Sequence, residues 1–188
     1  MTGLVYVFTG EGKGKTSAAL GVATRSLLNG EKVVWVAFYK QESWGLAEAK
    51  LRDKFPNLTM EFVGKGFRIG KKTAPVGTKG HVVVDSTSEE EHIQAAEAGL
   101  HLAADNLRQK PFLLVMDEVL NAVSDGLIES KRVMELLSKR GETHIVMTGR
   151  SDLHLTRSLL VRCDLVTECR KIKHPYDEGK LAVAGLDF

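Results

Sequence analysis

The sequence has 188 residues, of which 43% are apolar, so it is long enough for one domain with a substantial core and too short for two. Its formal charge of +2 is small, and the basic residues are spread along the chain, which argues against a nucleic-acid or membrane surface. No apolar run approaches the ~18 residues of a membrane span, and no signal-peptide segment precedes the first strand. We therefore expect a single cytoplasmic domain over residues 1–188 that binds neither nucleic acid nor membrane.

The first predicted element is a short strand that runs into a loop rich in glycine and lysine. Leu4 to Phe8 is apolar, and the next residues read Thr9-Gly10-Glu11-Gly12-Lys13-Gly14-Lys15-Thr16-Ser17. Backbone N–H groups can surround phosphate oxygens where the loop residues lack a β-carbon. A helix beginning at about Lys15 would direct its N-terminus to the same point. This layout predicts a binding site for a triphosphate.

Two side chains at the end of the loop have specific roles in such a site. Lys15 is predicted to reach the terminal phosphates, and the Thr16 hydroxyl to ligate Mg²⁺. The strict pattern G-x-x-x-x-G-K-[ST] is not met, because Thr9 stands where the first glycine would be. A solvated turn is the alternative. The apolar strand before the loop and the helical spacing of apolar residues after it, up to a stop at Asn29-Gly30, favour the phosphate site.

The next residues predict a second strand and an irregular region. The interval Glu31 to Lys40 contains a continuous apolar run, as in a strand covered on both faces. A helix is predicted at about Trp44 to Lys54 and a strand at Leu58 to Val63. Residues 64–80 contain five glycines and show little periodicity. Long loops of this kind are often functional.

The second half alternates strands and helices. A brief strand is predicted at His81 to Asp85, and Ser88 with Glu91 forms a capping box that opens a long helix ended by Pro111. The later elements are a strand at Phe112 to Met116, a helix at Glu129 to Lys139, a strand at Thr143 to Met147, a helix at Leu153 to Val161 and a strand at Leu165 to Glu168. This alternation predicts an α/β fold of the P-loop NTPase-like (RecA-like) class, a mostly parallel sheet with helices on both faces.

Ligands of such sheets bind at the carboxyl ends of the strands. The phosphate loop, Lys40, Asp117-Glu118 and Thr148-Gly149-Arg150 all follow strands. A carboxylate beside Thr16 would hold Mg²⁺, so Asp117 and Glu118 are the metal candidates, although one of them could instead be a helix N-cap. Arg150 could pair equally with a phosphate or with a surface carboxylate.

Taken together, these residues resemble the P-loop type of ATP:corrinoid adenosyltransferase over nearly the whole sequence. The phosphate loop matches, including Thr9 in place of the first glycine, and so does Arg25 on the helix after it. Further matching pieces are Gly66-Phe67, Asp117-Glu118, Thr148-Gly149-Arg150 and the tail, which runs from Lys173-His174-Pro175-Tyr176-Asp177-Glu178-Gly179 to Gly185-Leu186-Asp187-Phe188. The tail is the most specific piece, because general P-loop proteins lack it.

The resemblance implies that Co(I) of a reduced corrinoid attacks the 5′ carbon of ATP and that triphosphate leaves. It implies a homodimer, an electron-donating reductase as partner, and ATP with Mg²⁺ as co-substrate and cofactor. Lys15, Glu118 and Phe67 would be the catalytic residues, and Thr16, Asp117 and Glu118 the metal ligands. The ATP-binding residues would be Thr9, Gly10, Glu11, Gly12, Lys13, Gly14, Lys15, Thr16, Ser17, Arg25, Lys40, Arg150 and Asp177.

The sequence also departs from the family pattern. Ile69 stands where the family has Trp in the corrinoid loop, Ala37-Phe38-Tyr39-Lys40-Gln41 differs from the usual end of the second strand, and the N-terminal arm of some members has no counterpart before Leu4. Two other functions therefore stay open. One is a small P-loop kinase or ATPase, which would release ADP. The other is a nucleotide-binding regulatory module without corrinoid chemistry.

Overall fold

The computed structural model describes residues 1–66, 87–151 and 153–187, and in these residues strands and helices alternate. The strands are β1 Val5–Thr9, β2 Val33–Ala37, β3 Leu58–Phe62, β4 Leu113–Asp117, β5 His144–Thr148 and β6 Leu165–Glu168. The α-helices are α1 Lys15–Leu28, α2 Glu89–Leu107, α3 Val119–Ser124, α4 Ser130–Ser138 and α5 Leu153–Leu160. Short 3₁₀ segments span Glu42–Trp44, Ala47–Asp53 and Pro175–Glu178.

The described strands form one parallel sheet in the order β3-β2-β4-β5-β1-β6. Strand β5 therefore lies between β1, which leads into the phosphate loop, and β4, which carries the acidic pair. The register aligns Ala37 with Asp117 and Phe8 with Thr148. The carboxyl ends of β1, β2, β4 and β5 thus meet at one edge of the sheet, where α/β proteins bind their ligands.

Both faces of the sheet are covered, and a separate hydrophobic core fills each side. On one face α2, α3, α4 and α5 pack against side chains such as Val34, Met116 and Met147. On the other face α1 and the segment Ala47–Asp53 pack around Trp35 and Val115. Strands buried on both faces need apolar residues at every position, which explains the unbroken runs in β2 and β4. The predicted parallel α/β fold with helices on both faces is confirmed.

Local sequence signals explain where the helices begin. The Ser88 hydroxyl accepts a hydrogen bond from the Glu91 amide, and the Glu91 carboxylate accepts one from the Ser88 amide, so the predicted capping box opens α2. Helix α1 has no such cap: it begins directly after Gly14, which has no side chain to accept a hydrogen bond. The N–H groups of its first turn therefore keep no acceptor within the helix.

Two sequence predictions about elements need correction. The helix predicted at Trp44 to Lys54 is instead two 3₁₀ segments, because Gly45 adopts a left-handed φ of 62° that interrupts the turn, and neither segment buries a complete face. Helix α3 directly after the acidic pair was not predicted, since its six residues are too short to show a period. The strand predicted at His81 to Asp85 lies outside the described residues. None of the described helices is both long and apolar enough to cross a bilayer.

Candidate functional site

The phosphate loop connects β1 to α1 and is shaped by its glycines. Gly14 has a φ of 112°, which only glycine adopts readily, and it places the N-terminus of α1 against the loop. A β-carbon on Gly12 would lie 2.5 Å from the Cys169 carbonyl oxygen. The Gly12 amide donates to that same carbonyl at 2.6 Å, so the segment after β6 supports the loop from behind. The Thr9 hydroxyl anchors the start of the loop to Ser151 at 2.9 Å.

Lys15 extends back over this loop. Its ammonium group donates to the Gly10 carbonyl at 2.8 Å and to the Gly12 carbonyl at 2.7 Å. Burial lowers the pKa of Lys15, with the Arg150 guanidinium acting in the same direction, while the Glu118 carboxylate opposes the shift. The Lys15 ammonium therefore lies against the loop that the sequence predicts to bind phosphate.

Asp117 lies at the end of β4 and is completely buried. Its Oδ1 accepts hydrogen bonds from the Thr16 hydroxyl at 3.0 Å and from the Thr148 hydroxyl at 2.6 Å. Its Oδ2 lies 3.0 Å from the Lys40 ammonium. The predicted proximity of Asp117 to Thr16 is therefore present in the structure.

Lys40 connects Asp117 to the segment Ala47–Asp53. Its ammonium group lies 2.8 Å from Glu48 Oε1, and its side chain is only 11% exposed. Burial alone would lower the pKa of Lys40, but Asp117 and Glu48 together outweigh that effect and the pKa is raised. Lys40 is thus a charged partner of Asp117.

Glu118 follows Asp117 directly and has an unusual backbone. Its φ of 65° is rare for a residue other than glycine, and such strain is often found at functional sites. It occupies the N-cap position of α3, but its side chain forms no capping hydrogen bond. The carboxylate instead accepts from the Asn121 amide group. Burial, with Asp117 beside it, raises the pKa of Glu118 to about 7, against the opposing charges of Lys40 and Lys15.

Arg150 lies on the loop after β5. Its guanidinium Nε is 3.2 Å from Glu11 Oε2 on the phosphate loop, with both side chains mostly exposed. The Arg150 backbone N–H donates to Asn121 Oδ1. Gly149 leaves the space for this contact, since a β-carbon there would lie 2.8 Å from the same oxygen. Arg150 therefore faces the phosphate loop from the β5 side.

The C-terminal tail reaches the opposite side of the phosphate loop. Asp187 forms an ion pair with Lys13. Together with the start of α1 and the segment Ala47–Asp53, the end of the tail encloses a cleft of about 400 Å³. The cleft is lined by Thr16, Ser17, Leu20, Thr24, Lys40, Ala47, Glu48, Leu51, Gly185, Leu186 and Asp187.

Three predicted site residues lie apart from this group or cannot be placed. Arg25 is exposed on the last turn of α1, ten residues beyond Lys15 and so about 15 Å along the helix axis. Asp177 is exposed and pairs with Lys171 at 2.9 Å rather than with the phosphate loop. Phe67, like the neighbouring Ile69, lies outside the described residues. The remaining predicted residues, from the phosphate loop, Lys40, the acidic pair and Arg150, are brought together.

Four further side chains contact the predicted site residues without a role assigned from sequence: Asn121, Thr148, Glu48 and Asp187, of which Thr148 and Asp187 lie in segments that the sequence analysis singled out. Thr148 was visible as part of a strand end beside Arg150, and its position in a parallel sheet next to β4 was the available signal. Asn121 lies on the unpredicted helix α3, and Glu48 on a segment whose geometry was predicted incorrectly. For these two the sequence carries no local signal.

The family model for ATP:corrinoid adenosyltransferase BtuR/CobO/CobP matches residues 1–188. This chain belongs to that family. Its curated relatives include the corrinoid adenosyltransferase CobA of Salmonella typhimurium, 29% identical over 99% of this chain and 86% of the relative. The corrinoid adenosyltransferase of Pseudomonas aeruginosa is 30% identical over 99% of this chain and 84% of the relative. The chain is therefore an ATP:corrinoid adenosyltransferase by family, as its sequence suggested.

A solved structure supports the fold alone. The flagellar accessory protein FlaH from Methanocaldococcus jannaschii superposes with a TM-score of 0.52, covering 88% of this chain and 70% of that one. At 10% identity the likeness concerns the arrangement of strands and helices and not the chemistry.

Proposed function

We propose that this adenosyltransferase moves the 5′-deoxyadenosyl group of ATP to the Co(I) of a reduced corrinoid and releases inorganic triphosphate. The observation that carries the proposal is the phosphate loop with Lys15 at its centre and the Thr16 hydroxyl 3.0 Å from Asp117. This arrangement suits an anionic leaving group, and it occurs in a chain of the corrinoid adenosyltransferase family.

In this reaction the electron pair of Co(I) forms a bond to the 5′ carbon, and the bond from that carbon to the triphosphate oxygen breaks. Negative charge develops on the leaving oxygen, so the protein accelerates the step by stabilising that charge. Lys15 and the N–H groups of the first turn of α1 are the groups that do this. The corrinoid supplies the nucleophile, so the protein needs no general base to activate one and mainly positions the two substrates.

The donor groups beside the phosphate loop fit a magnesium ion. Thr16 offers a hydroxyl and Asp117 a carboxylate, both hard oxygen ligands, with the Glu118 carboxylate next to them. Among the described residues no cluster of three or more His, Cys, Asp and Glu side chains could enclose a metal alone. Magnesium at nucleotide sites takes most of its remaining ligands from phosphates and water, so two or three protein oxygens suffice. When bound, the ion would neutralise charge on the triphosphate.

The residues around the loop complete the ATP site in this proposal. Arg150 would exchange its exposed partner Glu11 for a phosphate oxygen, and Lys13 would do the same with Asp187. Lys40 would keep the Asp117 carboxylate oriented. The nucleoside would extend from the phosphates along the edge of the sheet.

The corrinoid half of the proposal depends on Phe67, which would remove the lower ligand of cobalt and so ease its reduction. A reductase would supply the electrons, and the enzyme would work as a homodimer in the cytoplasm. The two cysteines, Cys163 and Cys169, are unpaired thiols, which agrees with a reducing compartment.

The decisive experiment is anaerobic incubation of the protein with ATP, Mg²⁺ and chemically reduced cobalamin. We expect the cobalt spectrum to change to that of an adenosylated corrinoid, with triphosphate as the second product in equal amount. Formation of ADP without adenosylated corrinoid would instead indicate a kinase or ATPase. Binding of ATP with neither product would indicate a regulatory module.

Two variants separate the two halves of the site. Lys15→Ala should lower kcat/KM at least about a hundredfold, because it removes the charge at the leaving group, whereas Lys13→Ala at the exposed neighbouring lysine should cost far less. Phe67→Ala should leave ATP affinity unchanged and slow adenosylation. Normal turnover by Lys15→Ala would contradict the phosphate-site assignment, and an unchanged rate in Phe67→Ala would remove that residue from the corrinoid site.

A further inference from the structure

Helix α3 lies between the acidic pair at the end of β4 and the loop that follows β5. It begins directly after Glu118, and its third residue is Asn121. The side chain of Asn121 is partly buried, and both of its polar atoms are used. Nδ2 donates to Glu118 Oε2, while Oδ1 accepts from the backbone N–H of Arg150. The Asn121 amide therefore links Glu118, which we propose as a metal ligand and catalytic carboxylate, to Arg150, which we propose to bind phosphate.

The surrounding backbone is arranged for this bridge. Glu118 adopts its left-handed φ of 65°, and Gly149 adopts a φ of 133°. A side chain on Gly149 would collide with Asn121 Oδ1, which a β-carbon would approach to 2.8 Å. The Glu118 amide also donates to the Thr148 hydroxyl at 2.9 Å, so the ends of β4 and β5 are joined beside the Asn121 bridge. Unusual backbone angles on both sides of the Asn121 side chain indicate that the local structure is arranged to maintain its two hydrogen bonds.

We propose that Asn121 is a positioning residue for adenosyl transfer, which orients the Glu118 carboxylate and fixes the backbone of the loop that carries Arg150. It does not itself contact the substrates. This inference rests on the proposed roles of Glu118 and Arg150. An amide suits the position, because the bridge needs a donor toward a carboxylate and an acceptor toward an N–H group.

Two substitutions of similar side-chain size remove different hydrogen bonds of the Asn121 bridge. Asn121→Asp keeps an acceptor for the Arg150 amide and replaces the donor toward Glu118 with a carboxylate oxygen. Asn121→Leu removes both hydrogen bonds. If Glu118 acts on the chemical step and Arg150 on ATP binding, the two variants should affect kcat and KM differently.

We expect Asn121→Asp to lower kcat about tenfold with KM for ATP within about twofold of wild type. Asn121→Leu should lower kcat similarly and also raise KM for ATP by about tenfold. Asn106 provides the matched control, since it is partly buried on α2 and its amide donates within that helix to the Leu102 carbonyl at 2.9 Å. Asn106→Asp and Asn106→Leu should leave both constants unchanged at a temperature where all variants are folded.

A double variant tests whether Asn121 acts through Glu118. In a Glu118→Gln background, Asn121→Asp should lower kcat little further, because the carboxylate to be oriented is gone. If the wild type is active and Asn121→Asp is equally active, the proposed role of Asn121 is wrong and the proposed function is unaffected. A full further tenfold loss in the Glu118→Gln background also overturns it. A wild-type protein that forms no adenosylated corrinoid overturns the proposed function, and this inference with it.

Discussion

Asp117 and Glu118 are adjacent in sequence, yet the structure holds the two carboxylates in different ways. Asp117 has no exposed surface, and three side chains from other elements surround it: Thr16 and Thr148 donate hydrogen bonds to Oδ1, and the Lys40 ammonium lies 3.0 Å from Oδ2. We refer to these four residues as the inner group. The two hydroxyl groups and the buried ammonium come from three different elements of the fold. The inner group therefore connects α1, β4, β5 and the end of β2 through buried polar contacts.

The outer group consists of Glu118, Asn121, Arg150 and Glu11. Glu118 is partly buried, and its backbone is in the left-handed region. Its pKa is raised to about 7 by burial and by Asp117. The ion pair between Arg150 and Glu11 is exposed to solvent. Contacts of this kind contribute little to stability and exchange readily for a ligand. The two groups therefore differ in exposure: the contacts of Asp117 are buried, whereas the ion pair of Arg150 is open to solvent.

The largest effect on stability should come from Asp117→Asn. The amide would place a donor against the Lys40 ammonium and leave that buried charge with Glu48 as its described partner. We expect the free energy of unfolding to fall by about 3 kcal/mol, measured by urea denaturation. ATP:corrinoid adenosyltransferase activity should also be lost.

A second substitution checks that the lost pairing with Lys40 causes this effect. Replacing Lys40 with methionine in the Asp117→Asn protein removes the unpaired charge, so much of the stability should return. Equal destabilisation by the single and double variants would contradict an inner group built on charge pairing.

Glu118→Gln, in contrast, should raise the free energy of unfolding above neutral pH. The pKa of Glu118 is raised in the folded state, from 4.5 to about 7, so its contribution to stability is complete below about pH 4.5 and is lost as the pH rises through 7. In EDTA and without nucleotide, the wild-type free energy of unfolding should therefore fall between pH 5 and 7.5. The variant should lack this decline and be more stable at pH 8, by on the order of 2 kcal/mol.

The control for this experiment is Glu61→Gln, which changes an exposed glutamate on β3. Its stability profile should follow that of the wild type. If Glu118→Gln and wild type lose stability in parallel between pH 5 and 7.5, Glu118 is not the titrating group and the contrast between the two carboxylates fails.

The inner group was largely predictable from sequence, and the reason is the parallel sheet. Unbroken apolar runs identify β2 and β4 as buried strands, and strand ends in a parallel sheet share one edge. Asp117 and Thr16 could therefore be expected to meet across 101 residues of sequence. Lys40 follows from the same rule, but its partner Glu48 does not, because the segment Ala47–Asp53 forms 3₁₀ turns instead of the predicted α-helix.

The outer group was less predictable, because its contacts depend on a short helix and on unusual backbone angles. Helix α3 spans six residues and shows no apolar period, so nothing in the sequence places Asn121 beside Glu118. The contact between Lys13 and Asp187 is similar, since it joins the phosphate loop to a tail without regular strands. Such contacts are set by tertiary packing and carry no local signal.

The smallest effect on stability should come from Arg150→Ala, which separates the two roles that the sequence left open for this arginine. If Arg150 binds a phosphate of ATP, the variant should raise KM for ATP about tenfold through the loss of a charge-assisted hydrogen bond. The free energy of unfolding should change by less than about 0.5 kcal/mol, because the ion pair with Glu11 is exposed. Glu11→Gln breaks the same ion pair and leaves the arginine in place, so it should not raise KM. Equal KM values in the two variants would mean that Arg150 serves its carboxylate partner and not the nucleotide.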